Sequence, residues 1–528
     1  PMAQRRHNFI SGAAVLALAV AVTKVLGALY KIPLGNLLDK EGMAHFYAAY
    51  NIYNLLLVLS TAGLPLALSR LVSRAAAQGR LNAQRRIFRT ALALLAVIGA
   101  VCSAVMCLFP QVLSGLLHDS LAAPAIRVLG PAVLFVCLTS AIRGYTQGLG
   151  DMTPTAVSQM TESAGKLVIG LALCLVLLHR GADSSLCAAG AIAGVTAGSL
   201  LSLTVLTVFL LRRRDRASVD VPPARSAVLR ELLTAGIPIT LGAAGMSLIT
   251  LLDQALVMST LQNTLGYTEA AATALYGEYT FGMTLFALPP SFIYPVTVSL
   301  VPDISAALAR GDRPAAGRSA AAALKLTTLI ALPTGAGLSV LAGPILRLLY
   351  PAVPDTAAAA AYHLTILGIA CIFVCLMVAT NGVLQAYGKE YIPVVTLLCG
   401  GILKIITNYL MVGDPATNVR GAPVSTLYCY GLIVVLNLIA IARCVPERPS
   451  YLRLFARPVL ITAVMALAAR SSYGLLVRSL PERWAVLPAI AVAVVVYGVL
   501  VLALGAVTRQ DVLDLPKGEK IARMLHLH

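Results

Sequence analysis

Several ionisable side chains interrupt the long apolar runs of this sequence. Lys24 lies within the first apolar run, and Lys31 lies near its end. An ionised side chain at bilayer depth costs at least about 2.5 to 3.5 kcal/mol, so each is a candidate for function. Their ammonium groups are point charges that could compensate a phosphate or pyrophosphate that has left water. Either lysine could instead extend its ammonium to the membrane surface.

Three further charges allow two interpretations each. Glu162 and Lys166 stand four residues apart in the fifth run, on the same face of a helix. They could neutralise each other as a structural pair, or form a proton or substrate site that opens during transport. Arg143, at the end of the fourth run, could be a third substrate-binding cation or an anchor at the membrane surface.

The composition places the chain in a membrane. Of its 528 residues, 59% are hydrophobic and 12% are charged, and the mean hydropathy is +0.85. Soluble proteins carry roughly 25% charged residues. The net charge of +18 comes from basic residues in short gaps between apolar runs. This arrangement suits an anionic membrane surface better than a nucleic acid, so we predict membrane lipids as partners and no nucleic acid.

About fourteen apolar stretches are long enough to cross a bilayer, which needs about 20 residues each. Lysine and arginine are concentrated in alternate loops and tails, with about 27 on one side and about 8 on the other. This asymmetry places both termini and the loop from Arg70 to Arg89 in the cytoplasm. The predicted spans cover roughly 9–29, 43–68, 89–109, 125–147, 154–178, 186–211, 229–261, 272–301, 321–343, 361–387, 391–412, 421–443, 455–477 and 485–507.

The sequence contains no pattern typical of catalysis or metal binding. Its ten cysteines lie in or beside apolar segments without a CxxC pair, which indicates neither a zinc site nor a disulfide framework. It has no nucleophile motif and no nucleotide-binding glycine pattern. We therefore expect a transporter and not an enzyme, with no cofactor, no metal centre and at most a coupling ion, Na⁺ or H⁺.

An internal repeat divides the chain into halves. Residues 143–166 match residues 381–404, with two glycines, a glutamine and the final lysine in register, and loop 69–86 matches loop 301–318. Six spans separate equivalent positions, which predicts two six-helix halves with the same orientation and substrate bound between them. The predicted domains are an N-lobe at 1–215, a C-lobe at 216–445, and helices thirteen and fourteen with the tail at 446–528.

Four stretches together resemble one family of membrane proteins. They are TKVLGALYKIPLGNLL (Thr23–Leu38), STAGLPLALSRLVSRAAAQG (Ser60–Gly79), RGYTQGLGDMTPTAVSQ (Arg143–Gln159) and YGEYTFGMTLFALPPSFIYPVTVSLVPDIS (Tyr276–Ser305). They resemble the stage V sporulation protein B and MurJ-like lipid II flippase group of the multidrug/oligosaccharidyl-lipid/polysaccharide (MOP) flippase superfamily. The similarity runs over nearly the whole chain.

The resemblance implies an all-α membrane fold with two six-helix lobes in a MATE-like V around a central cavity. It also implies that helices thirteen and fourteen form a lipid-facing groove. The implied substrate is an undecaprenyl-pyrophosphate-linked saccharide, with lipid II, the peptidoglycan precursor, as the leading candidate. It would be flipped from the cytoplasmic to the outer leaflet of the bacterial cytoplasmic membrane, and cell-envelope synthesis enzymes are possible partners.

The resemblance also implies cavity-facing basic residues on helix one, at positions matched by Lys24 and Lys31. Relatives carry an arginine on helix two, where this chain has the apolar stretch Tyr53–Ser60. Helix eight offers Glu278 and no arginine. Glu278 could line the cavity or face outer water, and Pro289 and Pro290 in the same span are candidate bending points.

A cation site between helices seven and eleven is implied by the same resemblance. Asp253 is an isolated acid of helix seven, and Lys404 and Asn408 share a face of helix eleven. Because a lysine occupies one of the expected polar positions, we predict an ion pair between Asp253 and Lys404 rather than a bound Na⁺ near Asp253. That pair could still serve as a proton-coupled switch.

Three functions remain open at this point. The first is a lipid-linked oligosaccharide flippase, which the basic residues of helix one and the two extra helices favour. The second is a drug or cation antiporter on the same scaffold, which would prefer carboxylates in its cavity. The third is a membrane scaffold for envelope synthesis that transports nothing.

Overall fold

The structure of this chain is a computed structural model that describes residues 19, 22–23, 25–61, 63–212, 220–445 and 451–506. Within these residues it contains α-helices, short 3₁₀ and π turns, and no strand. The predicted all-α class is therefore confirmed. Helices suit a bilayer because each one satisfies its own backbone hydrogen bonds without water. Lys24 lies outside the described residues.

The first nine helices include six of the predicted spans. A 3₁₀ turn at Ser120–Ala122 precedes α6. The helices are α1 (25–37), α2 (Lys40–Thr61), α3 (Leu64–Ala77), α4 (Leu81–Leu108), α5 (Pro110–Leu116), α6 (Ala123–Gly148), α7 (Thr153–His179), α8 (Ser184–Leu211) and α9 (Arg225–Ser259).

The remaining nine helices follow a π turn at Thr260–Thr264. They are α10 (Glu269–Phe286), α11 (Leu288–Ala309), α12 (Arg313–Val340), α13 (Ala342–Leu349), α14 (Pro354–Ala386), α15 (Tyr391–Val412), α16 (Gly421–Cys444), α17 (Tyr451–Leu476) and α18 (Glu482–Ala503).

Twelve helical segments in the described part of the chain are long and apolar enough to cross a membrane. They correspond to the predicted spans two to seven and nine to fourteen. The first predicted span falls largely on residues outside the described ranges. The eighth is divided between α10 and α11, and Pro289 and Pro290 lie in the first turn of α11, where a missing N–H leaves no helical hydrogen bond unmade. The count of fourteen is therefore not confirmed.

Glycines in the left-handed conformation end matching helices of the two halves. Gly150 follows α6 and Gly388 follows α14, with φ of 84° and 70°. Gly79 follows α3 and Gly311 follows α11, with φ of 69° and 75°. Glycine adopts this conformation without the steric cost that a Cβ brings, and it ends a helix by turning the chain. The repeat found in the sequence thus includes left-handed glycines that end equivalent helices of the two halves.

The described helices form two compact units. The first holds the described residues up to Thr280 together with Val412–Val419. Within it, α6 packs on α2, α3, α4 and α8, and α9 packs on α2 and α3. By packing, α9 therefore joins the first unit, although the repeat assigns it to the domain 216–445. The division at 215 and 445 stays a prediction that rests on the repeat.

A seam of glycines brings α7 and α8 into close contact within the first unit. A Cβ on Gly194 would lie 2.3 Å from the Cα of Gly170, and one on Gly198 would lie 2.4 Å from the carbonyl oxygen of Glu162. The same Cβ on Gly198 would lie 2.9 Å from the backbone nitrogen of Lys166. Small residues allow membrane helices to approach this closely. The seam therefore fixes the part of α7 that carries both charged residues.

The second unit holds Phe281–Met411 and the described residues from Arg420 onward. Its α14 packs on α11, α12 and α16, and Val383 and Leu384 of α14 are fully buried there. The helices outside the repeat, α17 and α18, pack on each other and α17 packs on α12. The Tyr497 hydroxyl of α18 donates to the Leu329 carbonyl at 2.7 Å, which anchors α18 to this unit.

Candidate functional site

Lys31, near the end of α1, lies against two tyrosine rings of α2. Its Nζ donates a hydrogen bond to the Tyr47 hydroxyl at 3.2 Å. The same atom lies 4.7 Å from the centroid of the Tyr47 ring and 5.1 Å from that of Tyr50. Both distances are within the roughly 6 Å over which a cation is attracted to an aromatic face. The predicted alternative, an ammonium that extends to the membrane surface, stays a prediction.

Lys166 approaches the same tyrosine from α7. Its Nζ lies 5.8 Å from the Tyr50 centroid and 5.7 Å from the Tyr30 centroid. Tyr30 is buried and its hydroxyl donates to the Ala191 carbonyl at 2.8 Å, so this ring is fixed between α1 and α8. Two ammonium groups from different helices therefore share the Tyr50 ring. We call Tyr30, Lys31, Tyr47, Tyr50 and Lys166 the tyrosine–lysine cluster.

The tyrosines of α2 follow helical spacing, which places them along one side of the helix. Phe46 stacks on Tyr50 with ring centroids 5.7 Å apart, and Tyr50 and Tyr53 are 5.9 Å apart. Sequence reasoning missed these tyrosines because it looked for charges and read the stretch from Tyr53 as apolar. The run FYAAYNIY (Phe46–Tyr53) was the available signal, since aromatic residues recur in it every three to four positions.

Glu162 pairs with Arg143 and not with Lys166. The Arg143 guanidinium donates to Glu162 Oε2 at 3.0 Å, with side chains 14% and 26% exposed. The same guanidinium donates to Ser158 and Ser202, each at 2.9 Å. The pairing of Glu162 with Lys166 expected from their spacing is therefore wrong. Arg143 reaches the carboxylate from α6, and the hydroxyls of α7 and α8 hold it there.

The pairing of Glu162 with Arg143 decides which positive charges of the region are compensated. Arg143 is compensated by Glu162, whereas no salt bridge joins Lys31 or Lys166 to any carboxylate in the described part of the chain. Among the described residues, these two half-buried ammonium groups contact ring faces and one hydroxyl. Burying uncompensated charge is costly. A ligand with two negative charges would remove that cost, so the arrangement can bind a dianion.

Glu278 lies at another position of the first unit, in an ion pair. Lys40 Nζ lies 3.0 Å from Glu278 Oε1, and the two side chains are 35% and 16% exposed. A Cβ on the neighbouring Gly277 would lie 2.0 Å from the carbonyl oxygen of Lys40, so α10 and the start of α2 are in direct contact. Glu278 is conspicuous in the sequence as an acid of an apolar run, whereas Lys40 lies between two apolar runs and gives no such signal. This contact does not test the predicted binding role of Glu278, which stays a prediction.

Asp253, Lys404 and Asn408 are all buried. Asp253 belongs to the first unit, and Lys404 and Asn408 belong to the second. Ser425 donates a hydrogen bond to Asn408 Oδ1. The residue after Asp253, Gln254, accepts from Asn51 at 2.7 Å in the interior of the first unit. The pairing of Asp253 with Lys404, the Na⁺ alternative and the proton-coupled switch stay predictions.

One buried pair was missed entirely by sequence reasoning. His45 Nδ1 of α2 lies 2.7 Å from Asp119 Oδ1, just before the 3₁₀ turn. Asp119 follows a short loop in the sequence and His45 lies in an apolar run, so neither position signals the other. Among the described residues, no group of three or more His, Cys, Asp or Glu side chains could hold a metal ion.

Two family patterns match this chain. The family described as polysaccharide biosynthesis protein matches residues 9–308, which include the tyrosine–lysine cluster. The family described as MatE matches residues 238–410.

Three proteins of Bacillus subtilis (strain 168) are similar over most of their length. The uncharacterized membrane protein YabM is 27% identical over 99% of this chain and 97% of its own. Stage V sporulation protein B is 24% identical, covering 84% of this chain and 85% of its own. Lipid II flippase MurJ is 24% identical, covering 88% of each.

Solved structures share the fold. Lipid II flippase MurJ in an inward closed conformation superposes with a TM-score of 0.71 at 14% identity, over 94% of this chain and 98% of that one. A MATE family multidrug transporter of the MOP superfamily, in an inward-facing conformation, gives a TM-score of 0.65 at 15% identity, over 83% and 98%. At these identities the likeness concerns the fold alone.

Proposed function

Because the chain belongs to the polysaccharide biosynthesis protein family, within the MOP flippase superfamily, we propose that it flips a pyrophosphate-linked saccharide lipid across the membrane. The lipid is an undecaprenyl-pyrophosphate-linked saccharide that moves from the cytoplasmic to the outer leaflet. Lipid II is the leading candidate, since one relative is a lipid II flippase. The chain acts as a transporter and catalyses no covalent step.

The observation that carries this proposal is the tyrosine–lysine cluster. Lys31 and Lys166 lie 5.1 and 5.8 Å from the centroid of one ring, that of Tyr50. Two like charges held near one ring repel each other unless an anion joins them. A pyrophosphate carries at least two negative charges and can contact both ammonium groups at once. The cluster therefore favours a diphosphate over a monoanionic headgroup.

The rest of the site supports this choice of substrate. The Arg143–Glu162 pair keeps the carboxylate occupied, so Glu162 does not repel the diphosphate with a free charge. The faces of Tyr47 and Tyr50 suit the apolar faces of sugar rings as well as the ammonium groups. Since Lys31 and Lys166 project from α1 and α7, a movement between these helices would loosen both contacts and release the headgroup.

The antiporter alternative is supported by the MatE match to residues 238–410 and by the fold shared with multidrug transporters. Its substrates would be cations. The two ammonium groups of the tyrosine–lysine cluster would repel such substrates, and the Glu162 carboxylate of the neighbouring α7 turn is already paired with Arg143. The composition of this site therefore favours an anionic lipid.

The proposal can be tested in cells depleted of their own lipid II flippase and in binding measurements on the purified chain. Wild-type protein is expected to restore growth, and Lys31→Ala and Lys166→Ala are each expected to fail at normal membrane levels. Lys389→Ala, in the loop after α14, removes the same charge outside the cluster and should behave as wild type.

Binding distinguishes the headgroup from the rest of the lipid. The purified protein should bind undecaprenyl pyrophosphate more tightly than undecaprenyl monophosphate, and the difference should disappear in Lys166→Ala. Equal binding of both lipids by the wild-type protein, or full complementation by both alanine variants, would refute a diphosphate site at this cluster.

A further inference from the structure

The His45–Asp119 contact is a buried acid–base pair outside the tyrosine–lysine cluster. The two side chains are 3% and 1% exposed, and Nδ1 lies 2.7 Å from Oδ1. The second carboxylate oxygen, Asp119 Oδ2, is buried without a hydrogen-bond partner among the described residues. Imidazole is the side chain that most often exchanges a proton in the physiological range. The pair therefore has an acceptor for a proton and an incompletely satisfied carboxylate.

This pair is one of three polar links that join three segments of the first unit. Ser120 donates from its backbone N–H and its hydroxyl to Glu269 Oε1 of α10, at 2.5 and 2.6 Å. Further along α10, Glu278 binds Lys40 at 3.0 Å, and Lys40 begins α2, which also carries His45. The links thus form a closed ring from α2 through residues 118–122 to α10 and back to α2. We call this ring the clasp.

Two further hydrogen bonds hold the loop of the clasp. Gln262 Nε2, in the π turn before α10, donates to the His118 carbonyl at 2.7 Å. The Ser185 hydroxyl of α8 donates to the Leu121 carbonyl at 2.6 Å. A change at Asp119 would therefore be transmitted to the contacts between this loop and α10.

We propose that the His45–Asp119 pair is a proton-binding site that controls the closure of the clasp. When the imidazole nitrogen that does not face Asp119 accepts a proton, the contact becomes an ion pair between imidazolium and carboxylate. A charge-assisted hydrogen bond is stronger than a neutral one, so the proton stabilises the closed clasp. Loss of the proton weakens the link and favours opening. A ligand that binds one state better shifts the population toward it.

The clasp lies where the predicted topology puts the outside of the cell. Its proton would therefore come from the outer side, and a proton that biases opening at that side can act as the coupling ion of transport. The inference does not depend on which lipid is transported, because none of its residues belongs to the tyrosine–lysine cluster.

Other titratable groups near the pair could also respond to pH, and their effects have to be distinguished from that of the pair. They are carboxylates, an ammonium, a phenol and a second histidine. The carboxylate, ammonium and phenol classes ordinarily keep one protonation state between about pH 6 and about pH 8, which leaves the second histidine as the competing group. The groups are Asp39, Lys40, Glu41, His118, Asp183, Asp253, Glu269, Tyr276 and Glu278.

The test measures access to α10 behind the clasp. Thr273 is 2% exposed between the two glutamates of α10, so we expect a membrane-impermeant maleimide to reach a Thr273→Cys thiol faster when the clasp is open. Ala270→Cys, an exposed position on the same helix, corrects for the pH dependence of the thiol reaction itself. The full-length chain is labelled from outside in intact cells, and chain without either substitution gives the background of the native cysteines.

The labelling rate at position 273 relative to position 270 should be about fivefold lower at about pH 6 than at about pH 8, the ratio expected between charged and neutral hydrogen bonds. His45→Gln and Asp119→Asn should each remove this pH dependence. His118→Asn should keep it, because asparagine tolerates the left-handed backbone found there, with φ of 54°.

A relative rate that does not change with pH in the otherwise native chain would overturn the proposal, even if the His45 and Asp119 variants fail to fold. So would a pH dependence that persists in His45→Gln or disappears in His118→Asn. Lys31→Ala should leave the pH dependence intact. A result that refutes the proton site can therefore be distinguished from one that refutes the diphosphate site.

Discussion

Arg143 of α6 and Glu162 of α7 form an ion pair 3.0 Å long, and this pair leaves Lys166 without a carboxylate partner among the described residues. A carboxylate four residues away on the same helix would ordinarily be the nearest partner for a lysine. Here the guanidinium takes it, because the hydroxyls of Ser158 and Ser202 hold Arg143 beside Glu162. The lysine charge is thereby kept available for a ligand.

Removal of Glu162 should destabilise the protein more than removal of Lys166. Glu162→Gln leaves the mostly buried Arg143 without its counterion, which should cost about 1 to 3 kcal/mol of unfolding free energy. Thermal unfolding in detergent measures this loss. In double-mutant cycles, coupling should be found between positions 143 and 162 and be near zero between 162 and 166. The opposite order of couplings would restore the pairing expected from the sequence.

Charge at Lys31 should decide transport in a graded way. Lys31→Ala should abolish complementation, Lys31→Arg should keep part of it because the charge persists, and Lys31→Glu should be worse than alanine. All three must reach the membrane at wild-type levels, as judged by immunoblot. Full activity of the glutamate variant would be incompatible with an anion held by this residue.

Lys24 carries the same prediction on sequence grounds, since it lies outside the described residues. Lys24→Ala should fail in the complementation assay, and Lys24→Arg should retain part of the activity. Wild-type growth with Lys24→Ala, combined with failure of Lys31→Ala, would restrict the headgroup site to the cations that the structure describes.

The Tyr50 ring should contribute through its face and not through its hydroxyl. Tyr50→Phe keeps the ring between the two ammonium groups, so binding of undecaprenyl pyrophosphate should stay within about twofold of wild type. Tyr50→Leu removes the ring and should weaken binding by about fivefold or more, which corresponds to about 1 kcal/mol for a cation over an aromatic face. Equal affinities for the two variants would argue against a shared ring.

A methyl group in the glycine seam should disturb the site from a distance. In Gly198→Ala, the new Cβ would lie 2.4 Å from the Glu162 carbonyl oxygen and 2.9 Å from the backbone nitrogen of Lys166, so α7 has to move away from α8. We expect lower thermal stability and loss of transport. Gly474→Ala on α17 is the matched control, because no atom lies within 4 Å of its added Cβ. It should be neutral or slightly stabilising.

The predicted topology can be checked by labelling from outside intact cells. Cysteines placed at either terminus or in the loop from Arg70 to Arg89 should not react with an impermeant reagent. They should react after the membrane is permeabilised, which shows that the thiols are present. Labelling of these positions in intact cells would reverse the orientation inferred from the basic loops.

Much of the fold could be predicted from the sequence, because crossing a bilayer is a local property of the chain. A stretch of about 20 apolar residues becomes a helix whatever its neighbours are, since the backbone has no other partners there. The repeat was also readable, because left-handed glycines such as Gly150 and Gly388 are required wherever the matching helices end. The eighth predicted span, which the structure divides between α10 and α11, has Pro289 and Pro290 just past the break.

The charged candidates were found in the sequence for the same reason, since a lysine in an apolar run is conspicuous. Their partners depended on the tertiary structure. Glu162 is four residues from Lys166 but binds Arg143, and Lys31 and Lys166 meet at Tyr50 although 135 positions separate them. Which side chains meet is set by how far each helix is rotated and how closely the glycine seam lets α7 approach α8. These quantities depend on the packed neighbours of each helix, and no local pattern of residues encodes them.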